Sequence, residues 1–201
     1  MIGTILKDLK NLKGQIAYYV LLFAVFFVVS ALSRNIYYSA GLSIFFGVLV
    51  PVTALSYDEK DNWDKFALAS GISRRELALS RYILGLAAFL PAWGLSFVFM
   101  AIPALRSFEN LYVIITYGGL GLITMDCVLP VVYKIGVDKS RLFYIFLILI
   151  VMLLSVGAAT LVELIGGDPV AVIAYLLVGL GIVGLFVSLG ISVSVYRHKD
   201  F

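Results

Sequence analysis

The feature that most constrains this chain is a repeated one: six apolar runs, at about 15 to 33, 37 to 57, 75 to 104, 110 to 133, 142 to 164 and 170 to 196. Each is close to the ~20 residues that an α-helix needs to cross roughly 30 Å of hydrocarbon. With 62% hydrophobic and 13% charged residues in 201, a soluble fold would carry more apolar surface than a body of this size can hide. The expected fold is an all-α integral membrane protein with six transmembrane helices, residues 1 to 201 forming a single transmembrane domain.

Between the second and third runs lies the most polar stretch of the chain, Tyr57 to Glu76, with nine charges. Asp58 and Glu59 place negative charge where a helix N-terminus favours it, and Trp63, Phe66, Ala67 and Ser70 recur at i, i+3, i+4 and i+7. Gly71 supplies a left-handed stop. Ser73 and Glu76 match the S-x-x-E capping box, so a new helix is expected to begin near Arg74. The spacing predicts a short amphipathic helix over 58 to 70 clipped to a longer one. A solvated helix resting on its own protein is the plain reading of such a charged run. Aromatic anchors ringed by charge also suit insertion into a partner's groove.

Residues 1 to 14 place Ile2, Ile5, Leu6, Leu9 and Leu12 on one face and Lys7, Lys10 and Lys13 on the other, the pattern of an interfacial amphipathic helix lying in the membrane surface. A signal peptide cleaved after Val29-Ser-Ala31 is the competing reading; the segment is expected to be retained. Of the 15 Lys and Arg residues, only Arg34 and Arg106 fall on one side of the proposed topology. The basic side faces inward by the positive-inside rule, so both termini and the 57 to 76 segment are expected in the cytoplasm, in a multi-pass protein of the plasma membrane. The outer links Arg34 to Tyr37, Leu105 to Glu109 and Leu164 to Pro169 are short, which leaves the cytoplasmic side for any soluble partner.

Enzymatic chemistry is hard to build from these residues. Gly179-Leu-Gly181-Ile-Val-Gly184 matches a dinucleotide pattern but lies inside an apolar run with no preceding strand. Gly184, Ser188 and Ser192, spaced four apart, read instead as a small-residue ridge for close helix packing. The Gly136 to Ser140 stretch lacks the second glycine of a phosphate loop. The one histidine, His198, is in the tail, and neither H-E-x-x-H nor paired metal ligands occur, so no catalytic or metal site and no cofactor on this chain is expected. Cys127, the single cysteine, reads as packing. A net charge of +3 without a basic stripe argues against nucleic acid.

Two acids fall within the apolar runs, where charge is costly. Glu163 is near a run end. Asp126 is either a proton-coupling group or a protonated or hydrogen-bonded structural acid near the cytoplasmic interface. Tyr18, Tyr19, Tyr37, Tyr38 and Tyr57 cluster at run ends as an interfacial aromatic belt does. In a second reading Tyr18, Tyr19 and Tyr38 line a path for an amphipathic substrate, with Phe23, Phe26, Phe27, Phe45 and Phe46 as its apolar wall.

The opening Leu6-Lys-Asp-Leu-Lys-Asn-Leu-Lys13, the block from Tyr57-Asp-Glu-Lys to Ile72-Ser-Arg-Arg-Glu76, and Leu129-Pro-Val-Val-Tyr-Lys-Ile-Gly136 together resemble the small permease subunits of type-2 ABC exporters, closest to the phenol-soluble modulin exporter group. The resemblance covers nearly the whole chain, and the middle block is its most specific part. It implies that the 58 to 70 helix is a coupling helix fitting a cleft on a separate ATPase subunit, with Asp58, Glu59, Asp61, Asn62, Trp63, Lys65, Phe66 and Ser70 at the contact. It further implies two permeases and two ATPases per transporter, with ATP and Mg on the ATPases. Gly71 stands where many relatives have proline, and the 164 to 169 link is too short for the outer helices of polysaccharide exporters of this type. Export of hydrophobic or amphipathic peptides is therefore expected. The alternative is a membrane protein working without a partner, either a proton-coupled carrier using Asp126 or an immunity or scaffold protein.

Overall fold

The computed structural model describes residues 2–147, 149, 150, 153 and 169–198. Helix α1 (Ile2–Ser33) is followed by α2 (Tyr37–Asp61), the short α3 (Trp63–Ala69) and α4 (Arg74–Ser96). Two 3-10 turns, Phe97–Ala101 and Pro103–Leu105, lead to α5 (Phe108–Ile135), a helix α6 over residues 137–147, and α7 (Pro169–Arg197). Five of these helices are long and apolar enough to cross a membrane: α1, α2, α4 with its 3-10 extension, α5 and α7. The chain is thus an all-α membrane protein. The expected span at 142 to 164 lies outside the described residues from 154 onward, as do Glu163 and most of the 164 to 169 link.

The surface helix expected over 1 to 14 is not a separate element, since α1 continues through Gly14 without interruption. A helix turning from the membrane plane into a span needs a break in its i to i−4 ladder, and none occurs. The cause lies in the face that α1 turns inward: Thr4, Asp8 and Leu12, spaced four apart, are buried, while Leu6 and Leu9 are exposed. The polar side of the first turns therefore docks on the bundle, and the helix runs straight on from it.

Helices α2 and α5 form the inner pair, and the outer sides of α1 and α7 are largely uncovered. Helices α5 and α7 pack with their backbones close together. A Cβ at Gly119 would stand 2.6 Å from the Leu177 carbonyl carbon, so only glycine fits there. The ridge read from the sequence lies on this interface. Gly184 faces the Asp126 carboxylate, Ser188 donates to the Asp126 carbonyl at 2.6 Å, and the Tyr82 hydroxyl meets Ser188 at 2.5 Å and Ser192 at 2.8 Å. Pro91 and Pro130 sit inside α4 and α5 without ending them. The third run is α-helical only to Ser96, because the chain tightens into 3-10 turns around buried Phe99 and Leu105.

Candidate functional site

The polar segment resolves into three parts. Helix α2 runs through Asp58, Glu59, Lys60 and Asp61, so these charges close a long helix and do not open a short one. Asn62 then adopts the left-handed conformation (φ 50°, ψ 34°), which asparagine tolerates better than most residues, and the chain turns. Helix α3 keeps only seven residues of the expected 58 to 70 helix. Its end is a Schellman motif: Ile72 N–H donates to Ala67 O at 3.0 Å and Gly71 N–H to Leu68 O at 3.1 Å, with Gly71 at φ 83°. Ser73 and Glu76 then form both halves of the capping box that starts α4. The stop and the box stand where the sequence placed them.

One side of α3 is seated on its own protein. Ala67 is fully buried in a cluster with Leu55, Leu77, Tyr82, Val132 and Tyr133, and Trp63, Leu68 and Ile72 pack against that cluster. Lys7 Nζ lies 4.4 Å from the centre of the Trp63 ring. The other side is open. Phe66 is 61% exposed although its ring lies 5.3 Å from that of Trp63, and Asp61, Asn62, Lys65, Ala69 and Ser70 share the exposure. Trp63, Phe66, Ala67 and Ser70, expected on one face, are therefore divided between the seat and the open edge.

Asp58 belongs to neither. Expected at a partner contact, it is buried and held by Arg81 of α4 and Lys7 of α1. The other Arg81 nitrogen holds buried Asp8, whose second oxygen is 3.0 Å from Lys7 Nζ. The two cations and two carboxylates balance, which is how charge survives burial, and together they tie α1, α2 and α4 at the level of α3. Glu59 is likewise occupied with its own chain, accepting the Val137 N–H at 2.9 Å at the start of α6. Arg74 Nη1 donates to the Tyr196 carbonyl at 3.0 Å and to the Arg197 carbonyl, fastening α4 to the end of α7. The seat of α3 is thereby cross-tied to α1, α6 and α7. Arg81 and Asp8 were missed as a pair in the sequence; the available signal was that each acid or base inside an apolar helix needs a partner of opposite sign.

The residues proposed as a substrate path are only partly gathered. Tyr19, Phe23 and Phe46 line a groove of about 410 Å³ between α1, α2 and α4, together with Leu12, Leu84 and Pro91. Tyr19 hydroxyl contacts Thr53 Oγ1 and Gln15 Oε1, each at 3.1 Å, and Gln15 donates to Tyr57 at 3.0 Å, so the polar tips are satisfied within the bundle. Tyr18 and Phe26 point off the other side of α1, and Tyr38 is exposed at the start of α2. Phe27 packs on Phe99 near the opposite end, and Phe45 is half-buried outside the groove. Asp126 is buried against α7, and its carboxylate oxygens have no hydrogen-bond partner among the described residues. Among the described residues no cluster of side chains suits a metal ion.

Residues 3–197 of the sequence match a family model described as ABC-2 family transporter protein. The chain belongs to the ABC-2 transporter family. No curated protein and no solved structure matches it. As an ABC-2 membrane component it is a multi-pass, non-catalytic transmembrane subunit, and membership implies an ATPase partner. A role without any partner is accordingly set aside.

Proposed function

We propose that this ABC-2 subunit exports amphipathic or hydrophobic peptides, that α3 is its coupling helix, and that the ATPase grips the open edge formed by Asp61, Asn62, Lys65, Phe66 and Ser70. In this reading both termini and α3 are cytoplasmic, the working unit pairs two permeases with two ATPases, and ATP and Mg²⁺ are held by the ATPases. The observation that carries it is Phe66: a large aromatic side chain, mostly exposed, stands on a helix whose opposite side is anchored. An exposed aromatic at the centre of a charged edge is the composition of an interface anchor. Bracing makes the helix a lever. Force applied at Phe66 passes through Ala67 and Trp63 into the α2, α4 and α5 core, and through Asp58 and Arg81 into α1.

Peptide cargo is favoured by the apolar groove beside α1, whose lining residues include no charged side chain. The reading is tested in inside-out vesicles holding the permease and its ATPase, by ATP-dependent uptake of a fluorescent amphipathic helical peptide. Phe66→Ala should remove most uptake while leaving the amount of folded permease unchanged. Undiminished uptake would refute the role of α3, and uptake of an oligosaccharide in place of the peptide would refute the cargo.

A further inference from the structure

A second cavity, of about 310 Å³, opens between the first turn of α4 and the last two turns of α7. Its α7 wall is one helical stripe: Leu189, Gly190, Val193, Ser194, Arg197 and His198. Arg75 closes it from α4. Two arginines and a histidine therefore line one slot together with the apolar side chains of Leu189 and Val193.

Among the described residues, the local bonding leaves these groups available. Neighbouring Arg74 is committed to the Tyr196 and Arg197 carbonyls, which brings the two helix ends together and places Arg75 beside α7. Arg75 and Arg197 make no ion pair among the described residues. His198 Nδ1 lies 2.9 Å from the Ser194 carbonyl, to which it donates, and Nε2 is the ring nitrogen that this bond leaves over. Gly190 is exposed and lines the slot, and a Cβ there would meet nothing within 4 Å, so a bulky side chain at this position has the slot to project into. Below it α7 continues with exposed Val187, Phe186 and Val183, an apolar surface on a helix long enough to cross a membrane.

We propose that this cavity binds an anionic phospholipid, with the phosphate between Arg75, Arg197 and His198 and an acyl chain over Gly190 and along α7. Charge complementarity selects the headgroup, because two arginines lining one cavity favour an anion between them. The depth fits as well: the cations stand at the ends of two apolar helices, where a bilayer places its phosphates, and basic pockets between such helices are suited to acidic headgroups. The bound lipid would bridge α4 to α7 directly behind the α3–α4 link, and so stiffen the seat of α3.

Native mass spectrometry of the detergent-solubilised full chain, titrated with dioleoylphosphatidylglycerol, dioleoylphosphatidylcholine or inorganic phosphate, tests this. The wild type should retain phosphatidylglycerol at least tenfold more tightly than phosphatidylcholine and should not lose it to millimolar phosphate. Arg75→Gln with Arg197→Gln should weaken retention at least tenfold, while Lys10→Gln with Lys13→Gln, which removes as much charge elsewhere, should leave it within twofold. Gly190→Phe keeps every cation and fills the slot, so it should also abolish tight retention, and it decides the matter if the arginine variant does not fold. Equal retention of the two lipids, equal losses in both charge variants, displacement by phosphate, or full retention by Gly190→Phe would each overturn the proposal.

Discussion

Replacing Arg81 by methionine tests the bracing of α3 most sharply. The guanidinium is buried, one nitrogen on Asp8 and another on Asp58, and among the described residues Lys7 is the other cation paired in the cluster. Methionine keeps most of the volume, so the change is electrostatic: a balanced set of two cations and two carboxylates becomes one cation and two. Removing one partner of a buried pair costs about 3–5 kcal/mol, because a desolvated charge is left uncompensated. For a chain of this length that corresponds to a fall of roughly 6–20 °C in the unfolding midpoint. Unfolding in detergent, followed by tryptophan fluorescence, reads it. The decisive comparison is Arg81→Met with Asp58→Asn, which restores balance by leaving Lys7 to Asp8. It should be more stable than the sum of the single changes by about 0.5–3 kcal/mol, the range of directly coupled sites. An Arg81→Met protein melting with the wild type, or a double variant that is merely additive, would refute the reasoning.

The seat of α3 predicts that Trp63→Ala lowers stability by about 2–3 kcal/mol, less than a fully buried tryptophan because the ring is only half covered, whereas Phe66→Ala changes it by under ~0.5 kcal/mol; parallel melting curves would separate them. Gly71→Ala forces an L side chain to φ 83° and should cost about 1–2 kcal/mol by the same assay. Gly119→Leu drives a side chain into the α7 backbone and should prevent recovery of folded protein in size-exclusion chromatography, while Gly14→Leu, in open space, should not. Tyr82→Phe removes the hydroxyl shared by Ser188 and Ser192 and should cost about 1 kcal/mol of stability, read from the melting curve.

What was legible in the sequence was local. Gly71, Ser73 and Glu76 act within a few residues, so their roles follow from spacing, and the runs that became α2, α4, α5 and α7 are set by length and hydropathy. The course of α2 past Tyr57 was not legible, because Asp58 and Glu59 look like the acidic first turn of a new helix until their partners are known. Those partners are far along the chain: Arg81 lies 23 residues on, Asp8 lies 50 back, and Glu59 caps a helix that begins at 137. The unbroken α1 follows from the same distant ion pair, since Asp8 can reach Arg81 only if the first turns dock on the bundle. Asn62 was the overlooked local sign, a residue suited to the left-handed turn that divides α2 from α3.

The central claim is that another chain grips the open edge of α3, and a photo-crosslinking residue placed at position 66 tests it directly. In cells carrying the whole transporter, crosslinking at 66 should join the permease to its nucleotide-hydrolysing subunit, and the same residue at position 183, on the outer side of α7, should not. Crosslinks from 66 that reach only lipid or the permease itself would contradict the account.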